Sequence, residues 1–147
     1  MLLIIGFLFM LLIFAIVGIL TGAPALFIDL PSALLIIVPL FFFFFTSKSG
    51  KIINRYIKTS FKKEYSYTQA ELETLSVAIK NTIKFILAVG GFGFMSGLIA
   101  ALAFIENVNS LGPNLAISLI TLAYSIVISY FVFFPTQAWA ENKIKTL

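Results

Sequence analysis

Four apolar stretches without a single charged residue constrain the fold of this chain more than any other feature of its sequence. They cover residues 2–20, 31–46, 85–105 and 115–134. Each is close to the roughly 20 residues that an α-helix needs to cross about 30 Å of hydrocarbon. Lipid offers no partner to backbone N–H and C=O groups, so a spanning segment is a helix or part of a closed barrel. These stretches are continuously apolar and do not alternate between apolar and polar residues as barrel strands do, so they are predicted to be helices. The sequence therefore predicts an all-α, polytopic membrane protein with four transmembrane helices in a single domain, residues 1–147.

The composition agrees with a membrane protein and argues against enzyme or metal chemistry. Of the 147 residues, 61% are hydrophobic and 11% are charged, whereas soluble domains carry roughly 25% charge. The chain has no cysteine and no histidine, which removes the usual metal ligands and the commonest general base. We therefore expect no enzyme activity, no metal site and no cofactor.

The basic residues predict the orientation of the chain. All ten Lys and Arg lie either within residues 48–84 or at Lys143 and Lys145. An even number of predicted spans separates these two regions, so they share one side, which the positive-inside rule identifies as cytoplasmic. We expect both termini to be cytoplasmic in a bacterial inner membrane. The basic residues are then explained by orientation and by contact with lipid headgroups, and nucleic-acid binding is not expected.

The region between the second and third apolar stretches is predicted to be helical. Thr68 followed by Glu71 forms the pattern of a capping box, and apolar residues continue from there at helical spacing. The third helix should therefore begin near Gln69 and run unbroken into the membrane. Apolar residues at 52, 53, 56 and 57 predict that the second helix also extends into the cytoplasm, so that residues 48–84 form an antiparallel helical hairpin.

Prolines mark the predicted helix boundaries. Pro31 and Pro113 lie where helices two and four should begin, at a position where the missing N–H costs nothing. Pro135 is predicted to end helix four, and Pro39 is predicted to kink helix two.

Helices three and four carry matching small and polar faces. On helix four, polar side chains recur every three or four residues within an arc of about 80°; they are Asn114, Ser118, Thr121, Ser125 and Ser129. Helix three has a face of small residues, namely Gly93, Ser96, Gly97, Ala100 and Ala103. Such faces are typical of close helix packing within a chain, and also of a pore or a groove that holds a partner helix. The pattern alone leaves both interpretations open.

Three stretches resemble the MotA/TolQ/ExbB proton channel family, and MotA-type flagellar stator subunits in particular. Residues 27–38, FIDLPSALLIIV, are similar to the F-I-D-x-P-S-x-L-I-V that starts the second helix of those subunits. Residues 93–99, GFMSGLI, resemble the G-T-V-x-G-L-I of the third helix. Residues 111–125, LGPNLAISLITLAYS, are similar to the L-G-P-x-x-A-V-A-L-L-T-T-L-Y-G that opens the fourth. The stretches occur in the same order, with a shortened cytoplasmic region between them.

The resemblance implies a homopentameric, motor-type stator around a dimer of single-span partners of the MotB or ExbD kind. Helices three and four would line a central channel, and an aspartate on the partner would carry the proton or sodium ion whose flow does mechanical work. That implication fits the lack of any acidic residue in the four apolar stretches. The residues implied to line the path or face the partner are Gly93, Ser96, Gly97, Ala100, Ser118, Thr121, Ser125 and Ser129.

The sequence departs from the family pattern at the channel threonines. The threonine of helix three aligns with Phe94 and that of helix four with Leu122, so only the neighbouring Thr121 is kept. Apolar side chains at these positions would dry an ion path. A non-conducting structural ring or scaffold is therefore the second hypothesis, and an unrelated small four-helix transporter is the third.

Overall fold

The computed structural model describes residues 2–22, 28–61, 65–103, 105 and 108–147, and these residues are helical apart from short turns. In chain order the helices are α1 (Leu2–Leu20), α2 (Leu30–Thr46), α3 (Ser49–Ser60), α4 (Gln69–Ala103), α5 (Val108–Val127), a π-helix (Ile128–Phe133) and α6 (Phe134–Ile144). The described residues contain no strand. The predicted all-α class is therefore confirmed.

Three helical segments are long and apolar enough to cross a membrane. They are Leu2–Leu20, Gln69–Ala103 and Leu111–Ile144. Helices α2 and α3 pass the same test only as a pair, and the pair is bent by 92°. The chain is therefore compatible with a multi-pass membrane protein, while the count of four spans stays a prediction that depends on whether α2 crosses the membrane.

The second helix was predicted to extend into the cytoplasm, but the structure ends it at Thr46 and places residues 49–60 in a separate helix, α3, at 92° to it. α2 ends at Thr46, and Lys48, the residue before α3, has a left-handed φ of 60°. A left-handed residue cannot continue a right-handed helix. Gly50 permits the close turn, because a Cβ there would lie 2.9 Å from Phe44 Cβ and 3.0 Å from the Phe44 carbonyl oxygen.

The capping box predicted at the start of the third helix is present. The Thr68 N–H donates to Glu71 Oε2 at 3.1 Å, and the Glu71 N–H donates to Thr68 Oγ1 at 3.4 Å. α4 begins at Gln69 and continues for 35 residues to Ala103, about 50 Å at 1.5 Å per residue. The predicted start and the unbroken course of this helix are confirmed.

The proline predictions have mixed outcomes. Pro31 lies in the first turn of α2, as predicted. Asp29 is the N-cap of this helix, and its side chain accepts a hydrogen bond from the backbone N–H of Ser32 at 2.8 Å. Pro113 does not begin the fourth helix, because α5 already starts at Val108. Pro135 does not end it either. The π-helix ends at Phe133 and α6 begins at Phe134, so Pro135 lies in the first turn of α6, where its missing N–H costs no hydrogen bond, and α6 continues to Ile144.

α4 is the central helix of the fold. Helices α2, α3, α5, α6 and the π-helix all pack against it, whereas α1 packs mainly against the π-helix. Gly6 makes that last contact possible, since a Cβ there would overlap the carbonyl oxygen of Phe131 and lie 2.9 Å from Val132 Cα. Among the described residues, α2 covers one side of the α4–α5 pair.

Candidate functional site

The small face of α4 and the hydroxyl face of α5 pack directly against each other within the chain. Three glycines of α4 each approach one hydroxyl residue of α5; the pairs are Gly90 with Ser125, Gly93 with Thr121, and Gly97 with Ser118. An added Cβ at Gly93 would lie 2.5 Å from Thr121 Cγ2, well inside ordinary van der Waals contact. Residue numbers rise along one helix as they fall along the other, so the two helices are antiparallel.

Three hydroxyl residues of this face, Ser118, Thr121 and Ser125, find hydrogen-bond partners inside the chain, whereas Ser129 Oγ is buried without a partner among the described residues. Ser118 and Ser125 each donate to a carbonyl oxygen three residues earlier in α5, at 2.7 Å. Thr121 Oγ1 donates to Ser32 Oγ of α2 at 2.8 Å, and Ser32 Oγ donates to the carbonyl oxygen of Ile117 at 3.3 Å. The four hydroxyl residues are at most 1% exposed. These bonds therefore hold α2 and α5 together while α4 closes over them.

The structure separates the residues that the resemblance placed on the channel. Four of them, Ser118, Thr121, Ser125 and Ser129, are buried inside the chain. A side chain buried within one protomer is not in position to line a channel between protomers, so in this structure the stripe serves helix packing. Gly93 is buried and Gly97 is half-buried against the same stripe. Ser96 and Ala100 are half-buried, and Ser96 Oγ donates to the carbonyl oxygen of Phe92 at 2.8 Å.

Phe94 and Leu122 lie together on the other side of the α4–α5 pair. Each follows a packed residue, Gly93 or Thr121, by one position, which is 100° around a helix. Because the helices are antiparallel, these two rotations carry both side chains to the same side of the interface. α2 occupies the opposite side, where Leu35 approaches Gly93. Both Phe94 and Leu122 are half-buried.

We call the side that carries Phe94 and Leu122 the open face. By the same helical geometry it also includes Leu98, Leu115, Leu119 and Ile126. Leu119 is 57% exposed and Ile126 is 42% exposed. Every side chain of the open face is apolar and none has a hydroxyl group, so this surface can receive a hydrocarbon chain or an apolar helix but cannot coordinate an ion.

The first and third stretches of the family resemblance meet in space. Ser32 belongs to residues 27–38 and Thr121 to residues 111–125, and their side chains are hydrogen-bonded. In the same region the backbone N–H of Asp29 donates to the hydroxyl of Tyr124 at 3.1 Å. These two hydrogen bonds join α2 and its N-cap to α5.

The sequence interpretation gave no role to Ser32 or Gly90. Gly90 lies three residues before Gly93 and extends the small face, which is a signal that could have identified it. Ser32 stands in the first turn of its helix beside Pro31, and its partner on α5 cannot be found from spacing alone. Ser32 is fully buried and Gly90 is buried, so both belong to the packed side of the α4–α5 pair.

A second polar cluster joins α3 to the start of α4. Arg55 and Glu71 form an ion pair at 2.6 Å, and the Tyr65 hydroxyl donates to the same carboxylate oxygen at 2.7 Å. The hydrogen bond from Tyr65, followed by those from Thr68 and the charge of Arg55, lowers the pKa of Glu71. The Arg55 side chain is 69% exposed, so the pair fixes the geometry of the junction more than it stabilises the fold.

α6 also packs against this junction. The Trp139 ring packs against Tyr56 at 5.8 Å and against Tyr67 at 5.6 Å between centroids. Glu141 accepts from Gln137 at 2.9 Å and from Ser76 Oγ of α4 at 3.0 Å, and these bonds lower the pKa of the Glu141 carboxyl. Three separate segments are thus fixed to one another at this end of the molecule.

Within residues 2–22, 28–61, 65–103, 105 and 108–147, no group of acidic side chains is placed to hold a metal ion. Comparisons of the chain with family models, with curated proteins and with solved structures each found no match. The α4–α5 pair and its open face are the candidate functional site.

Proposed function

We propose that this chain is a MotA-like, stator-type membrane subunit that assembles with copies of itself into a ring, a homopentamer, around single-span partner helices. The observation that carries the proposal is the position of Phe94 and Leu122. The two positions that resemble channel threonines share the open face, while the hydroxyl residues beside them pack inward. A ring subunit needs this separation between a side that binds its own helices and a side that meets the partner.

The packed side supports the same arrangement. α2 covers the α4–α5 pair opposite the open face, through Ser32 and Leu35. α1 is attached to the π-helix through Gly6. In the proposed ring, α4 and α5 form the inner wall, and α1 and α2 lie toward lipid in the bacterial inner membrane.

The ion in this proposal is carried by the partner, of the MotB or ExbD kind. None of the four apolar stretches of this chain has an acidic residue, and the open face has no hydroxyl group. An aspartate on the partner helix would bind the proton or sodium ion, and its movement would turn the ring and do mechanical work. The junction of α3, α4 and α6 would transmit that motion to whatever the ring contacts in the cytoplasm.

A second candidate is a non-conducting ring or scaffold of the same shape. It is favoured by the apolar side chains of Phe94 and Leu122, because water and ions are excluded where a channel wall has no polar group. In that case the open face would hold the partner helix by packing alone.

Photo-crosslinking in the native cell tests the ring proposal. A photoreactive amino acid at Leu119 or Leu122, on the open face, is expected to capture a single-span membrane protein. The matched control is Leu8 of α1, which is 60% exposed and should face lipid. Capture of the same protein from Leu8, or of no protein from the open face, would contradict the proposal.

Proton and sodium flux in liposomes that contain the chain and the captured partner separates the two candidates. Flux above that of the chain alone supports the ion-coupled stator, and its absence supports the scaffold. Leu122→Thr places a hydroxyl on the open face and should raise any flux. Thr121→Val alters only a buried group and should leave flux per folded ring unchanged; a loss would place Thr121 on the path.

A further inference from the structure

α3 presents a row of basic side chains along one exposed face. Four residues of this face are exposed, namely Lys51, Asn54, Arg55 and Lys58. Successive members are three, one and three residues apart, which places all four within an arc of about 100° on the helix. The opposite face is buried against the rest of the fold through Ile53, Tyr56 and Thr59. α3 is therefore an amphipathic helix whose polar face is positively charged and whose other face is already occupied.

Among the described residues, no acidic side chain is paired with the lysines of this segment. Across the described residues the one ion pair is Arg55 with Glu71, and no carboxylate is paired with Lys48, Lys51 or Lys58. Three positive charges therefore remain on one short segment. A cluster of unpaired cations on an amphipathic helix is the usual recognition element for an anionic lipid surface.

The position of α3 brings this charge to the membrane. It follows the aromatic end of α2, where Phe41, Phe42 and Phe45 are 73%, 68% and 85% exposed, as side chains in contact with lipid are. Lys48 follows Phe45 within a single turn. α3 then leaves the axis of α2 at 92°. With α2 crossing the membrane as predicted from the sequence, a helix perpendicular to it would run close to the plane of the bilayer surface.

We propose that Lys48, Lys51 and Lys58 form a binding surface for the phosphate headgroups of anionic lipids in the leaflet beside α3. The long lysine side chains reach the headgroups while their stems cover apolar surface. Bound headgroups hold α3 at the membrane surface and so fix the angle between α2 and the α3–α4 junction. This surface lies on a different helix from the open face and does not depend on the stator proposal.

Lipid quenching of a fluorophore on α3 tests this binding surface. The chain has no cysteine, so Asn54→Cys gives a single labelling site in the middle of the basic face. The labelled protein is placed in phosphatidylcholine bilayers containing an equal fraction of brominated phosphatidylglycerol or brominated phosphatidylcholine. We expect a preference of roughly tenfold for phosphatidylglycerol, which decreases as salt rises from about 50 to 300 mM because exposed charges are screened.

Two charge variants in the labelled protein separate a local site from overall charge. Lys51→Gln with Lys58→Gln should remove most of the preference. Lys143→Gln with Lys145→Gln removes the same charge from exposed positions at the end of α6 and should leave the preference intact. Unchanged fluorescence of Trp139, the single tryptophan, shows that the junction remains folded in both variants.

Three results would overturn the proposal. Equal loss of preference in both variants would show an effect of net charge alone. The absence of quenching by either brominated lipid would place α3 away from the bilayer. Loss of the preference on addition of millimolar inorganic phosphate would identify a site for free anions instead of lipid headgroups.

Discussion

Replacing Gly93 by alanine tests whether α4 and α5 are as close as the structure shows. The new Cβ would lie 2.5 Å from Thr121 Cγ2 and 2.9 Å from Leu35 Cδ2, whereas ordinary contacts begin at 3.4 Å. The contact with Thr121 can be relieved only if a side chain in the packed interface or one of the helices moves. Overpacking of this kind costs about 1–3 kcal/mol.

The higher helix propensity of alanine would stabilise the Gly93→Ala variant and so oppose the cost of overpacking. A control variant with the same gain in propensity is therefore needed. Alanine is better than glycine inside a helix by up to about 1 kcal/mol. Gly91→Ala is the matched control, because a Cβ at Gly91 would meet nothing within 4 Å. Both variants have the same propensity gain, so Gly93→Ala should be less stable than Gly91→Ala by about 1–3 kcal/mol.

The assay is thermal unfolding of the purified variants in one detergent. For a chain of this size the free-energy difference corresponds to about 2–4 °C for each kcal/mol. Thr121→Ser removes the Cγ2 methyl and should restore much of the stability of Gly93→Ala, while having no such effect on Gly91→Ala. Equal unfolding temperatures for the two alanine variants would refute the close packing, and with it the assignment of the open face.

Three further results are expected. Thr121→Val removes the hydrogen bond to α2 and should lower the free energy of unfolding by about 0.6–2 kcal/mol; no change in unfolding temperature would contradict the buried bond. Because the pKa of Glu71 is lowered in the folded chain, its contribution to stability is present above its ordinary value of 4.5 and is lost as pH falls through the lower folded value. Acid titration followed by Trp139 fluorescence should therefore show an acid transition that Glu71→Gln reduces, and an identical profile in the variant would refute this. Gly50→Ala should destabilise the chain in thermal unfolding by about 1–3 kcal/mol, because its Cβ would lie 2.9 Å from Phe44 Cβ, and a neutral result would show that the bend tolerates a side chain.

Local signals predicted the features that local chemistry determines. The start of α4 at Gln69 follows from Thr68 and Glu71, whose two hydrogen bonds form within four residues of chain. Such a capping box needs no tertiary partner, so the sequence is sufficient to find it. The first helix was likewise predicted with the bounds that the structure shows, since a continuous apolar run has few alternatives in lipid.

Features that depend on tertiary contacts were not predictable in the same way. A lysine at a left-handed φ, as at Lys48, is uncommon, and it is accepted here because α3 then buries its apolar face against α4. The course of the chain through Pro135 depends on the π-helix, against which α1 packs at Gly6. Neither contact leaves a periodic signal in the sequence.

The polar stripe of the fourth helix shows what periodicity can and cannot decide about function. Its period correctly identified a continuous polar face, but it could not say whether that face meets another chain or the chain's own α4. The hydrogen bond from Thr121 to Ser32 and the approach of Gly93 decide that question for one protomer. The adjacent position, Leu122, lies outside this stripe, 100° away on the open face. In such a helix the buried polar residues determine how the helices pack, and the apolar residues beside the stripe determine what the exposed side can bind.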